Sequence, residues 1–240
     1  MTLMKPYLRG AIHCHSRYSF DSMTPIRAYL REAKKLKLDF VLLTDHDTVR
    51  GSIALREAAA KAMPALQVPV AAEYKTDQGD VIAAFLKTEV AARQFDDFVA
   101  EVRSQGALLL LPHPYVGHPE PEKLAPHCDL IEVFNARASR RANGKAQDLA
   151  NLLKKPTYAG PDSHFLRSLS KALIEVEDLG DLRTSLLQGE IRALSPQLSS
   201  DWEAGASQLI KAWKTRDAGL AFVKLRGAAR RIARTAGLSF

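Results

Sequence analysis

His13-Cys14-His15, closing the apolar pair Ala11-Ile12 and followed by Asp21, sets two imidazoles two residues apart. Alternate residues of a β-strand face the same way, so such a pair can offer both rings to one cation. Four later segments repeat the pattern of an apolar run that ends in polar donors. Phe40-Val41-Leu42-Leu43 leads into Thr44-Asp45-His46-Asp47, and Val68-Pro69-Val70-Ala71-Ala72 into Glu73. Leu108 to Leu111 leads into Pro112-His113-Pro114, and Tyr158-Ala159-Gly160 into Pro161-Asp162-Ser163-His164. Assembled, His13, His15, Asp21, His46, Glu73, His113, Asp162 and His164 supply five imidazoles and three carboxylates. A transition-metal ion takes roughly four to six donors, so this set implies two or three divalent ions (Zn, Mn or Fe) sharing a bridging carboxylate. A donor set without thiolates argues against a structural zinc site and suits a catalytic cluster that keeps positions open. His118 and His127, in the proline-rich stretch, read as solvated loop residues.

The segments between these motifs must position them. Pro25 to Lys37 carries Ile26, Tyr29, Leu30, Ala33 and Leu36 on one helical face, with Thr24 as N-cap before a first-turn proline. Gly51 to Met63, Ala91 to Gln105 and Arg141 to Lys154 also read as helices. Strands are expected near 9–13, 39–44, 68–72, 81–86, 107–112, 129–134, 156–160 and 172–176. Gln78-Gly79-Asp80 is so short a connection that 81–86 reads as a hairpin partner of the strand before it. Successive strand–loop–helix units build a parallel sheet or a (β/α) barrel, whose functional groups gather at the C-terminal strand ends.

With 240 residues, 46% hydrophobic and 25% charged, the chain is long enough for one large core. Residues 1–195 are expected to form the main barrel and 196–240 a basic helical extension packed on it. The net charge of +7 owes much to Lys211, Lys214, Arg216, Lys224, Arg226, Arg230, Arg231 and Arg234. Phe222, Leu225, Ala229, Ile232 and Ala236 recur at helical spacing opposite that basic face, which could meet nucleic acid or simply face water. Without an apolar run of membrane-spanning length or a signal-peptide pattern at residues 1–10, a cytoplasmic location is expected. Cys14 and Cys128 read as buried thiols.

Six ordered segments together resemble the PHP (polymerase and histidinol phosphatase) phosphoesterases, over about 190 of the 240 residues. They are His13 to Ser16 with Tyr18-Ser19 and Asp21, Thr44 to Thr48, Glu73, Pro112 to Pro114, Ile131-Glu132-Val133-Phe134-Asn135, and Gly160 to His164. The resemblance implies an α/β fold, a distorted seven-stranded (β/α) TIM-like barrel with the metal site at its C-terminal strand ends. By the same resemblance one ion takes His13, His15, Glu73 and Asp162. A second shares Glu73 and takes His113; a third takes Asp21, His46 and His164. Where many relatives carry a further histidine on the second ion, this chain has Asn135. Asp45 is expected to orient an imidazole or a bound water.

The activity so implied is hydrolysis of a phosphate ester, a small phosphomonoester or a nucleotide, by a metal-activated water at a di- or trinuclear centre. Arg137 could grip a non-bridging phosphate oxygen, with Asn135 beside it, whereas Arg140, Arg141 and Lys145 read as solvated helix charges. Three other classes are open. A nucleic-acid phosphodiesterase or exonuclease would use the basic tail, and only 39 residues separate Glu73 from His113, too few for an inserted cap domain. A non-catalytic metal-binding interaction module would show lost ligands. A metal amidohydrolase would supply a lysine or another histidine in place of the Thr44-Asp45-His46 and Glu73 segments.

Overall fold

The computed structural model describes residues 6–217 and 219. In chain order its elements are β1 (Tyr7–Cys14), α1 (Ile26–Leu36), β2 (Phe40–Leu43), α2 (Arg50–Ala62), β3 (Ala71–Thr76), β4 (Gly79–Ala84), α3 (Phe95–Ser104) and β5 (Leu108–Leu111). There follow α4 (Pro121–Leu124), β6 (Leu130–Asn135), α5 (Arg140–Leu153), β7 (Thr157–Gly160), β8 (Leu173–Glu177), α6 (Leu182–Gln188), β9 (Ile191–Leu194) and α7 (Asp201–Thr215).

The strands do not close into the expected seven-stranded barrel. They form two mixed sheets, one ordered β2-β1-β8-β9 and the other β3-β4-β5-β6-β7. Closure needs an unbroken ladder with a constant stagger. Here β8 lies antiparallel on β1, where a barrel would have its last parallel strand, and a second antiparallel strand, β9, follows it. At the two seams between the sheets only single bridges form among the described residues, Cys14 with Ser163, His46 with Glu73 and Phe40 with Gln67. The hairpin of β3 and β4 is present, with Glu73 opposite Ile82. The strand expected at 68–72 begins instead at Ala71 and runs on to Thr76, because Pro69 has no N–H to give to a ladder. Thr24 does not cap α1. Its hydroxyl donates to the His164 carbonyl at 3.3 Å, and Pro25 occupies the cap position.

Three apolar layers follow from the pattern. Leu108 and Leu110 face inward with Ile12, Leu42, Ile82, Leu130, Tyr158 and Ile174, the cluster shared by both sheets. Leu109 and Leu111 face outward beneath Phe95, Phe98 and Val102 of α3. A strand made of four leucines is therefore buried on both faces. Tyr29 and Ala33 of α1 and Leu55 and Ala59 of α2 cover the outer face of the first sheet, where Cys14 is buried; Cys128 is buried in the layer beneath α3.

Helix α7 is tied down at both ends. At its start Ser200 and Glu203 form a capping box, and the Glu203 carboxylate also accepts from Ser168 Oγ at 2.7 Å, Lys171 Nζ at 2.6 Å and Arg167 Nε at 3.1 Å. Near its end Lys214 Nζ donates to the carbonyls of Arg17, Ser19 and Ser22, each at 2.7 Å. The apolar face expected from Phe222 to Ala236 lies outside the described residues. Among the described residues no helix is long and apolar enough to cross a membrane.

Burial alone would raise the Glu203 carboxyl, but Lys171, Ser168 and the Ser200 N–H hold it down to about 2. Since this folded value lies below the ordinary 4.5, its contribution to stability is complete above pH 4.5 and is lost as pH falls towards 2. Glu203→Gln is expected to cost about 1–3 kcal/mol near neutral pH, and the gap to wild type in urea titrations should narrow across that acid window. A gap of constant size would contradict this account.

Candidate metal centre

The end of β1 does not present its histidines by simple strand alternation. A register shift between Ile12 and Cys14 marks a bulge, and His13 has φ of 72°. His113 and Asp162, just past β5 and β7, also lie at positive φ, 29° and 46°. Such conformations are uncommon for residues with a side chain, and here they turn donors from three strand ends into one cavity. Glu73 comes from within β3, and its neighbour across the seam is the 45–47 segment. Asp47 N donates to Glu73 O at 2.8 Å and Glu73 N to Asp45 O at 3.2 Å.

All eight candidate ligand residues converge. His15, Asp21, His46 and His164 form one group of donor atoms mutually within 4.8 Å; His13, His113 and Asp162 form another, and His13, His15 and Glu73 a third. Glu73 Oε2 is 3.4 Å from Nε2 of both His13 and His15 and 3.2 Å from His46 Nδ1. Asp162 Oδ1 is 3.8 Å from His13 Nε2 and 3.5 Å from His15 Nε2; His164 Nε2 is 2.9 Å from Asp21 Oδ2. Donors held at about 2.1 Å around one tetrahedral ion stand roughly 3.4 Å apart, so these spacings fit shared cations. So does the state of the donors. Nε2 of His13 and His15, Oδ1 of Asp21 and Oε2 of Glu73 are buried with no hydrogen-bond partner among the described residues. Buried polar atoms are rarely left so, and four in one cavity mark a place for ions.

The electrostatics agree. Burial lowers His15 to about 3, with His164 and His46 adding to the effect, so its ring is neutral and its lone pair available. Burial also opposes charge on His46 and His113, yet Glu73 above all raises both to about 9. Asp162, which burial alone would raise, is held well below the carboxylate range by Arg137 and His13. The carboxylates of the cavity, Glu73 above all, thus favour positive charge on the rings beside them, His15 excepted.

Behind the donors stands a second layer, of which the sequence reading assigned Asp45 but not Glu132 or Ser19. Glu132, fully buried on β6, is 2.9 Å from His13 Nδ1 and accepts from His113 N at 2.7 Å and Asn135 Nδ2 at 2.9 Å. By taking the Nδ1 proton it leaves Nε2 of His13 as the donor facing the cavity. Only glycine fits at 160, since a Cβ there would overlap the Glu132 carboxylate. Ser19 does for His15 what Glu132 does for His13, at 3.1 Å from Nδ1. Asp45 lies beneath, accepting from Ser16 N and Oγ at 2.6 and 2.7 Å and from Ser19 N and Oγ at 3.1 and 2.8 Å. It reaches the imidazole of His15 through Ser19, and a Cβ at Gly51 would strike it. Glu132 was legible as part of the Ile131–Asn135 motif, but an acid on an apolar strand carries no mark of which histidine it meets.

Arg137 Nη1 lies 3.3 Å from Asp162 Oδ1 and 2.6 Å from His164 Nδ1, while Nη2 donates to Ser207 Oγ of α7 at 2.9 Å. The donors open on a cleft of about 560 Å³ whose walls include Arg137, Asn135, Phe20, Lys75 and, from α7, Ala204, Gln208 and Lys211. Phe20 stacks on His46 at 4.5 Å, and Lys211 Nζ sits 4.5 Å from the Phe20 ring. These α7 residues belong to a segment read from sequence only as a basic extension.

The PHP domain model matches residues 11–214, a span that contains every donor described above. The chain belongs to the PHP domain family. Among its relatives is the uncharacterized protein MJ1587 of Methanocaldococcus jannaschii, 28% identical over a 145-residue alignment that covers 54% of this chain and 82% of that protein. The PHP fold is shared with a two-domain protein of Bacteroides vulgatus containing a predicted PHP-like metal-dependent phosphoesterase. The TM-score is 0.66 at 20% identity over 80% of this chain and 66% of that one. PsfC of Pseudomonas syringae superposes with a TM-score of 0.62 at 16% identity, over 88% of this chain and 99% of PsfC.

Glu132→Gln keeps the side chain's size but lets the amide donate towards His13 Nδ1. It is expected to weaken divalent-cation binding about 10–100-fold in a calorimetric Mn2+ titration, with little change in fold by circular dichroism. Unchanged affinity would show that His13 needs no such partner.

Proposed function

We propose that this PHP protein is a metal-dependent phosphoesterase that hydrolyses a small phosphomonoester or a nucleotide. The observation that carries the reading is the cavity of five imidazoles and three carboxylates in which four buried donor atoms have no hydrogen-bond partner among the described residues. Two or three divalent ions, Zn, Mn or Fe, would be held by His13, His15, Glu73 and Asp162, by Glu73 and His113, and by Asp21, His46 and His164. Bound there, they would supply Lewis acidity to the phosphoryl oxygens and lower the pKa of water towards neutrality.

The chain's own groups do the rest. Arg137, held by Ser207, presents a guanidinium at the cleft wall beside Asp162, placed to pair with non-bridging oxygens of the phosphoryl group. Asn135 packs against Asp162 through Nδ2 at 3.2 Å and keeps that carboxylate turned towards the histidines. Asp45 acts on His15 through Ser19, and Glu132 on His13 directly. The volume of the cleft suits a phosphorylated metabolite or a mononucleotide. Of the basic residues a nucleic-acid reading would use, Lys214 is engaged by three carbonyls, and Lys224, Arg226, Arg230, Arg231 and Arg234 lie outside the described residues.

The Mn2+-loaded chain is expected to hydrolyse p-nitrophenyl phosphate faster than bis(p-nitrophenyl) phosphate. Asp162→Ala should abolish turnover, and Arg137→Ala should lower kcat/KM about 100-fold. A loaded chain that cleaves neither ester would defeat the proposal and favour a binding role.

A further inference from the structure

We infer that the cation site at Glu73 and His113 is completed by Asp80, a carboxylate on β4 that brings a third donor to a divalent ion. This rests on the metal-dependent reading above and specifies one of its sites. Glu73 and His113 alone offer one carboxylate and one imidazole, short of the three protein donors that even an open catalytic site uses. Asn135, the nearest polar residue at the end of β6, cannot make up the number. Its Oδ1 accepts from Arg137 N at 2.8 Å and Ala138 N at 3.1 Å, and its Nδ2 donates to Glu132 and Asp162. An amide oxygen with both lone pairs engaged has none left for an ion.

The β3–β4 hairpin provides the alternative. Glu73 pairs with Ile82 across the antiparallel ladder, so Asp80, two residues before Ile82, emerges on the same face, diagonal to Glu73. Donor atoms of Glu73, Asp80 and His113 all lie within 4.8 Å of one another. Glu73 Oε2, buried and without a hydrogen-bond partner, belongs to the same carboxylate. The tautomer of His113 is suitable: Nδ1 is 3.0 Å from Val116 O, which takes its proton and leaves Nε2, 3.1 Å from Glu73 Oε1, as the donor. Asp80 is held in place. His118 Nε2 is 2.8 Å from its carbonyl oxygen, and Lys75 Nζ is 3.2 Å from its Oδ1. His118 is thus a half-buried strut and not the solvated loop residue its surroundings in the sequence suggest. Two carboxylates with one imidazole make a harder, more oxygen-rich site than the histidine-rich groups beside it, which favours Mn2+ over Zn2+ at this position.

The test counts ions on the full chain by plasma mass spectrometry and by Mn2+ titration followed by electron paramagnetic resonance. Asp80→Asn, with Asp80→Ser as a second variant, is expected to lose one Mn2+ per chain or to bind it at least 10-fold more weakly. His113→Asn should lose the same ion, so that the double variant loses no more than either alone, whereas Asp21→Asn should remove a different one. Wild-type count and affinity in both Asp80 variants would overturn the assignment and leave the multinuclear reading standing. A wild-type chain that binds a single Mn2+ would instead overturn that reading.

Discussion

Three carboxylates, those of Asp21, Glu73 and Asp162, are buried in the walls of one cleft, each against imidazoles of the same cavity. Burying like charges together is tolerable only when cations lie among them. Much of the surrounding structure answers that constraint. Five imidazoles close in from the ends of four strands, the Arg137 guanidinium covers Asp162, and Glu132 and Asp45 fix the rings from behind. The strained backbone at His13, His113 and Asp162 belongs to the same response, since regular strand geometry would not bring these side chains to one point.

How much of this could be read in advance depended on the range of the interaction involved. All the candidate donors but Asp21 stand at or just past the end of an apolar run, and apolar runs report strands through local patterning alone. The hairpin at Gln78-Gly79-Asp80 was legible for a similar local reason. Closure of a barrel is not local. Whether β8 lies parallel or antiparallel on β1 depends on residues more than a hundred positions apart, and the expected barrel gave way to two open sheets. The two-residue spacing of His13 and His15 illustrates a subtler gap. Strand alternation explained why both rings could face one ion, yet the chain achieves it at a bulge where alternation fails.

Roles of single polar residues were hidden for the same reason. Nothing in Ile131-Glu132-Val133 says that its acid takes the proton of His13, and nothing around Asp80 says that its carboxylate lies beside Glu73. Helix α7 is the largest such case. Read as a basic extension packed on the main body, it also sets Ser207 against Arg137 and lines the cleft with Gln208 and Lys211, while Lys214 ties down the loop that carries Asp21.

The seam between the two sheets carries a mechanical consequence. His13, His15 and His46 belong to the first sheet and its loops, whereas Glu73, His113, Asp162 and His164 belong to the second, and among the described residues the backbone makes only isolated bridges between the two. Cations held by both sets would therefore act as cross-links across the seam, beside the apolar cluster that both sheets share. Their binding free energy would add directly to the work needed to pull the sheets apart. Chemistry and cohesion would then draw on the same atoms.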